Sequence, residues 1–161
     1  MTALFKHALP REGEEQFIRS IGWYFVIKKG DRILVCALYN AISKVENIRQ
    51  WYTTNIEENS DHTKTFNWGE MFLKIQFDEI ENEKITWKFL ESSMPIESLH
   101  MTYELSENEG KTRVRFTYGN FEEKSDFFAN QNFSSAKYLE SLRQFCQTGI
   151  GEALGSENYR S

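Results

Sequence analysis

The strongest constraint on the fold is a change of hydrophobic period to two between residues 63 and 118. Apolar side chains there alternate with polar ones, which is typical of strands buried on one face only. Short polar connections between the segments suit hairpin turns. The pattern therefore predicts an antiparallel meander with one packed and one solvent-facing side. Its four alternating segments are 70–80, 84–91, 99–105 and 112–118.

Two further strands are predicted beside this meander. Ile21 to Lys28 is rich in β-branched and aromatic residues, and residues 64–68 precede a break at Gly69. Together with the meander they make a sheet of about six strands. The apolar run Ile21 to Ile27 suits pairing with a second copy of the chain as well as with its own sheet, so a homodimer stays open.

Two short helices are predicted after the first strand. Apolar residues recur at helical spacing over 31–41, and the Asp31 carboxylate can cap the start. Ser43, followed three residues later by Glu46, predicts a capping box for a second helix.

One long helix is predicted near the C-terminus. Apolar residues follow a spacing of three and four from Ser134 to Thr148, and Gly149 can end the helix. This helix is the only predicted element long enough to cover the apolar face of the sheet. We therefore expect one α+β domain over 20–151, an N-terminal extension over 1–19 and a flexible tail over 152–161.

Composition narrows the class of protein. The 161 residues carry 19 Lys plus Arg against 24 Asp plus Glu, a net charge of −5, which argues against a nucleic-acid or anionic-lipid partner. Two cysteines make neither a disulfide framework nor a four-cysteine zinc site. We find no apolar run near the ~20 residues that a membrane span needs, and no signal-peptide stretch at the start. A cytoplasmic protein is expected.

The residues that could carry chemistry are scattered. His7, His62 and His100 lie far apart, without a second ligand at metal-binding spacing. Cys36 and Cys146 sit among apolar neighbours, where a cysteine behaves as a small hydrophobe. We therefore predict no metal, no cofactor and no catalytic residue, although a cyclase- or hydrolase-like enzyme stays open as an alternative.

Two segments carry a resemblance to a known family. Residues 31–40 followed by 45–52, ending in Trp51-Tyr52, resemble the first helices of the domain related to the C-terminal part of the activator of heat-shock protein 90 ATPase. Residues 138–149 resemble the last helix of that family. The tryptophan that often opens that helix is replaced in this sequence, where Phe133 lies nearest to its position. The resemblance covers about residues 20 to 151.

The resemblance implies a START-like helix-grip fold of the SRPBCC superfamily, in which a curved antiparallel sheet wraps a long C-terminal helix around a cavity. It implies no catalytic residues, because the family shares none. The activators proper have an additional N-terminal domain, and the first 20 residues here show nothing like it. A chaperone partner is therefore left as an alternative.

We interpret the chain as a non-catalytic protein that binds an apolar or aromatic, lipid-like small molecule between sheet and helix. The first alternative is a protein-interaction module that uses the outer sheet surface, where Lys111, Arg113 and Arg115 form a basic strip. Most inward-facing side chains are expected to form ordinary core. The candidates for the cavity wall are Trp68, Leu73, Ile75, Trp87, Phe89, Met101, Tyr103, Phe116, Tyr118, Leu139 and Leu142.

Overall fold

Eight strands and three helices make up the described part of the chain. The computed structural model describes residues 6–7, 21–27, 34–96, 98–108, 111–121, 123 and 125–160. The elements in chain order are β1 (Lys6–His7), β2 (Ile21–Ile27), α1 (Val35–Ser43), α2 (Val45–Trp51), β3 (Ile56–Glu58), β4 (Lys64–Trp68), β5 (Met71–Ile80), β6 (Lys84–Ser92), β7 (His100–Asn108), β8 (Lys111–Gly119) and α3 (Asp126–Thr148).

All eight strands belong to one antiparallel sheet, in the order β1-β2-β8-β7-β6-β5-β4-β3. The predicted six-strand sheet is confirmed, and β1 and β3 are short additions at its two edges. Strand β2 pairs with β8 of the same chain, from Ile21 opposite Tyr118 to Ile27 opposite Thr112. Strand β2 is therefore paired within its own chain along one edge, and with β1 at Trp23 and Tyr24 along the other.

Alternation along the strands sets which side chains reach the core. In β6, Ile85, Trp87 and Phe89 are buried, while Lys88 is exposed. The β5–β6 register shifts between Lys74 and Ile75, and the alternation is interrupted on β6, where Leu90 and Glu91 are both exposed. Strand alternation thus gives the sheet one apolar face.

Helix α3 begins earlier than the sequence pattern predicts. It starts at Asp126 rather than at Ser134, because the Ser125 side chain accepts a hydrogen bond from the Phe128 amide and no glycine or proline interrupts the chain until Gly149. Gly149 ends the helix in the left-handed conformation, at φ 77°, as predicted.

The first two helices correct one detail of the prediction. Ser43 is not a cap: it is the last residue of α1, its side chain is buried, and Lys44 stands at the N-terminal cap of α2 without a side-chain hydrogen bond. The start of α1 is Val35, and the predicted Asp31 cap lies outside the described residues.

The C-terminal segment is packed instead of free. We expected a flexible tail from residue 152, whereas Ala153 is fully buried and Leu154 forms a parallel bridge with Thr53. Backbone hydrogen bonds of 3.0 Å join Leu154 to Tyr52 and to Thr54. The expected N-terminal extension over 1–19 lies outside the described residues, apart from strand β1.

Candidate functional site

A cavity of about 270 Å³ lies between one end of the sheet and α3. Strands β4 to β8 and the β6–β7 connection supply its sheet side, and α3, the end of α2 and the C-terminal segment supply the rest. The exposed Met71 and the half-buried Met94 give it an opening to solvent. Its lining residues are Tyr52, Trp68, Met71, Leu73, Phe89, Met94, Ile96, Met101, Tyr118, Gln131, Ser134, Tyr138 and Leu154.

The structure brings five of the eleven predicted cavity residues together in this lining, namely Trp68, Leu73, Phe89, Met101 and Tyr118. The other six lie in the packed core and do not line the cavity: Ile75, Trp87, Tyr103, Phe116, Leu139 and Leu142. The space between sheet and helix is therefore divided into a filled end and an open end.

Trp87 is the centre of the filled end. Its indole is fully buried and stacks on Phe77, with centroids 5.3 Å apart and an angle of 3° between the planes. Trp51 stacks on it at 6.0 Å, and Tyr52 and Phe66 meet it edge-on at 5.3 Å. Five aromatic neighbours, including Tyr103, leave no room there for a ligand.

Several lining residues lie where the sequence analysis placed no cavity wall. Gln131 precedes the predicted start of the last helix, and Leu154 belongs to the segment expected to be free. Met94 and Ile96 lie in the irregular connection between β6 and β7, where alternation predicts nothing. Only the position of Gln131 had a signal in the sequence. Ser125 is a good N-cap residue followed by an uninterrupted helical stretch, which indicates an earlier start of the last helix.

Three tyrosines line the cavity, namely Tyr52, Tyr118 and Tyr138. Tyr52 lies against Tyr138, with ring centroids 4.3 Å apart, and meets Trp68 edge-on at 5.9 Å. Burial raises the pKa of Tyr138 to about 12 and also raises the pKa of Tyr118. The pKa of Tyr52 is likewise raised well above its usual value by burial. These phenols are neutral at physiological pH.

The Trp68 indole N–H is a further polar group at this site. Its nitrogen is buried and has no hydrogen-bond partner among the described residues. It lies near enough to the Tyr138 hydroxyl to lower the pKa of that hydroxyl slightly, without reaching hydrogen-bond geometry.

The thirteen lining residues include no Asp, Glu, Lys, Arg or His. Within the described ranges, no group of three or more His, Cys, Asp or Glu side chains could hold a metal ion. No described helix is long and apolar enough to cross a membrane. The chemistry that this lining offers is apolar contact, aromatic contact and hydrogen bonding to neutral groups.

Solved structures of other proteins have the same fold as this chain. The solution structure of the Aha1 dimer from Colwellia psychrerythraea matches with a TM-score of 0.71 and 24% identity, covering 82% of this chain and 98% of that one. The solution NMR structure of CalU16 from Micromonospora echinospora matches with a TM-score of 0.61 and 16% identity, over 81% and 67% of the two chains. DynU16, a putative protein in the dynemicin biosynthetic locus, matches with a TM-score of 0.60 and 13% identity, over 85% of this chain and 50% of its own.

Sequence comparison gives the family. No curated protein matches the chain. A family model described as "Activator of Hsp90 ATPase homolog 1-like protein" matches residues 35–147, which run from the first residue of α1 nearly to the end of α3. The α+β helix-grip architecture agrees with that match. The chain therefore belongs to the family of Activator of Hsp90 ATPase homolog 1-like proteins, of the START-like SRPBCC type.

Proposed function

We propose that the chain binds an apolar or aromatic small molecule, without chemical change, in the cavity between the sheet and α3. One observation carries the proposal: about 270 Å³ of space is left unfilled beside a core that is elsewhere close-packed. An apolar cavity of about 150 Å³ is enough to hold a benzene molecule. The space here suits a compound of one or two rings.

The walls support an adaptable binding site. Met71, Met94 and Met101 all line the cavity. Methionine is unbranched and polarizable, so it can repack around ligands of different shape. Trp68 and Phe89 add flat faces against which an aromatic ring can pack.

Binding agrees better with these walls than catalysis does. General acid–base catalysis needs a group whose pKa lies near the working pH. Burial raises the pKa values of the Tyr118 and Tyr138 phenols further above neutral pH. The other lining residues that the structure describes offer no carboxylate or imidazole. The uncharged lining also favours an uncharged ligand, because burying an unpaired charge is costly.

Native mass spectrometry of the freshly purified protein tests the proposal. We expect a mass excess that disappears on denaturation, with an apolar compound in the extract. A natural ligand can be lost in purification, so the protein is also incubated with the neutral dye N-phenyl-1-naphthylamine. This dye fluoresces in apolar surroundings and reports whether the empty cavity binds it. A clean mass together with no dye fluorescence would contradict the proposal.

A matched pair of variants on α3 locates the binding. Ser134→Trp places a large side chain in the cavity wall, whereas Asn130→Trp places the same side chain one turn earlier at an exposed position outside the lining. We expect Ser134→Trp to lose the mass excess or the dye signal and Asn130→Trp to keep it. Equal loss in both variants would point to binding elsewhere.

A second candidate function is that of a protein-interaction module. The family description names Hsp90 ATPase activation, and one similar solved structure is described as a dimer. The outer sheet face offers charged contacts: Arg113 is exposed, and Arg115 forms an ion pair with Glu104 at 3.6 Å. Under this function, Arg113→Glu would abolish any stimulation of purified Hsp90 ATPase and any dimer seen by light scattering. An unchanged result in both assays would argue against this candidate.

We also propose a cytoplasmic location for this function. Cys36 and Cys146 are both free, and they lie on different helices. Unpaired cysteines suit a reducing compartment. Fractionation of the native cells would test the location directly.

A further inference from the structure

Four tyrosines lie in the cavity wall or directly beside it. Tyr52, Tyr118 and Tyr138 line it, and Tyr103 is buried in the adjoining core. The four are close enough that charge on any of Tyr103, Tyr118 or Tyr138 would raise the pKa of Tyr52. We call these four residues the tyrosine cluster.

The hydroxyls of Tyr52 and Tyr118 have no hydrogen-bond partner among the residues that the structure describes. Burial alone raises the pKa of Tyr118, and the pKa of Tyr52 is raised by burial and by the neighbouring tyrosines. Both side chains are more than nine-tenths buried, at 5% and 1% exposure. Both residues line the cavity, so their hydroxyls can each donate one hydrogen bond and accept others from a molecule bound there.

The surroundings decide which partner these hydroxyls can take. The other lining residues that the structure describes are apolar, except Gln131, Ser134 and the Trp68 indole. Among the described lining residues, a carboxylate or phosphate would lose its water without meeting a cation, and an ammonium would meet no carboxylate. A neutral molecule with an oxygen atom satisfies the hydroxyls without that penalty.

We propose that the tyrosine cluster selects, within the cavity, an uncharged aromatic compound that carries a hydroxyl or carbonyl oxygen. The oxygen sits against Tyr52 and Tyr118, and the ring lies among the methionines and Phe89. This inference rests on the proposed function, since it takes small-molecule binding in the cavity as given. It adds that the ligand is neither a plain hydrocarbon nor an acid.

Three probes of one ring size test the selection. Naphthalene, 2-naphthol and 2-naphthoate differ only in the absence of an oxygen, the presence of a hydroxyl and the presence of a carboxylate. Their dissociation constants are measured at pH 7 by equilibrium dialysis in sealed cells. We expect 2-naphthol to bind about tenfold more tightly than naphthalene, as one hydrogen bond in a dry site allows. We expect 2-naphthoate to bind more weakly than either.

Conservative variants connect the preference to the hydroxyls. Tyr52→Phe and Tyr118→Phe each remove one oxygen and keep the ring, and the double variant removes both. We expect the tenfold preference to shrink in each single variant and to vanish in the double variant, with naphthalene binding unchanged as evidence of an intact cavity. Tyr39→Phe is the control, since its hydroxyl bonds Glu79 away from the cavity.

The outcomes separate this inference from the proposed function. Equal binding of naphthalene and 2-naphthol, a preference that survives in the double variant, or 2-naphthoate binding as tightly as 2-naphthol would overturn the selection and leave cavity binding standing. Binding of none of the three probes would overturn the proposed function and the selection with it.

Discussion

The hydroxyl of Ser141 on α3 donates a 2.8 Å hydrogen bond to the carbonyl oxygen of Trp51, 90 positions earlier in the chain. The same hydroxyl oxygen accepts from the Glu152 amide at 2.7 Å. One buried side chain thus joins the end of α2, the long helix and the start of the C-terminal segment. Tyr52 directly follows Trp51, and Leu154 lies two residues after Glu152. Because both residues line the cavity, Ser141 fixes part of its wall.

Removing this hydroxyl should destabilise the fold. Ser141→Ala leaves the Trp51 carbonyl and the Glu152 amide without their partner, and a buried polar group left unpaired costs about 1–3 kcal/mol. Chemical denaturation should report a loss of unfolding free energy in that range. A loss under about 0.5 kcal/mol would mean that water replaces the hydroxyl.

Ser135→Ala is the matched control on the same helix. Ser135 is equally buried, at 4% against 3% exposure for Ser141, but it donates only to the Gln131 carbonyl one turn earlier. That carbonyl already lies in the helical ladder. Loss of the Ser135 hydroxyl should therefore change the unfolding free energy by less than about 0.5 kcal/mol.

The same junction predicts a strong effect at Gly151. A Cβ there would lie 2.4 Å from the Gln50 carbonyl oxygen and 2.9 Å from Trp51 Cα, both backbone atoms that side-chain motion cannot relieve. Gly151→Ala should therefore destabilise the fold by about 1–3 kcal/mol and loosen the segment that carries Leu154. Faster hydrogen exchange of the Leu154 amide, which donates to Tyr52, is the specific readout.

Gly149→Ala separates this clash from ordinary glycine strain. A Cβ at Gly149 meets nothing within 4 Å, but the residue has φ 77°, so alanine should cost about 1 kcal/mol without speeding exchange at Leu154. Equal exchange rates at Leu154 in the two variants would contradict the proposed close approach.

The strands were predictable because alternation reports burial directly. Ile85, Trp87 and Phe89 take every second position of β6, and all three reach the core. The cavity was not predictable in the same way. Trp87 and Phe89 share one face of one strand, yet Trp87 is enclosed by five aromatic rings while Phe89 borders open space. Which of the two is enclosed depends on side chains that are distant in sequence.

The C-terminal wall was missed for a related reason. Ala153 and Leu154 are isolated apolar positions, and their burial comes from contacts of this segment with residues 52–54, about a hundred positions away. Local composition carries no information about such pairing. The early start of α3 had a local signal in Ser125, but the polar run from Asn130 to Asn132 obscured it.

Truncating the two indoles should separate the filled end from the open end. Trp87→Ala removes a fully buried indole from a close-packed cluster and should cost about 3–5 kcal/mol. Trp68→Ala removes a half-buried indole that already borders the cavity, so its cost should be clearly smaller. Urea denaturation of both variants measures the difference. Costs of equal size would argue against an open cavity beside Trp68.

The buried phenols predict the alkaline limit of stability. Burial raises the pKa of Tyr138 to about 12, above the value near 10 of an unfolded tyrosine. The neutral form is thus favoured in the folded state, so the stabilisation is complete below about pH 10 and is lost as the pH rises towards 12. At pH 11 the loss from this one group is about 1 kcal/mol.

Absorbance at 295 nm and far-UV circular dichroism, followed together from pH 8 to 12.5, test this prediction. Burial also raises the pKa of Tyr52 and Tyr103, so their ionisation should coincide with unfolding and not precede it. Tyr138→Phe removes one of the phenols whose ionisation favours the unfolded state. The variant should therefore unfold at a higher pH than the original protein. Complete tyrosine ionisation with native dichroism would contradict the burial of these hydroxyls and, with it, the tyrosine cluster as the polar side of the cavity.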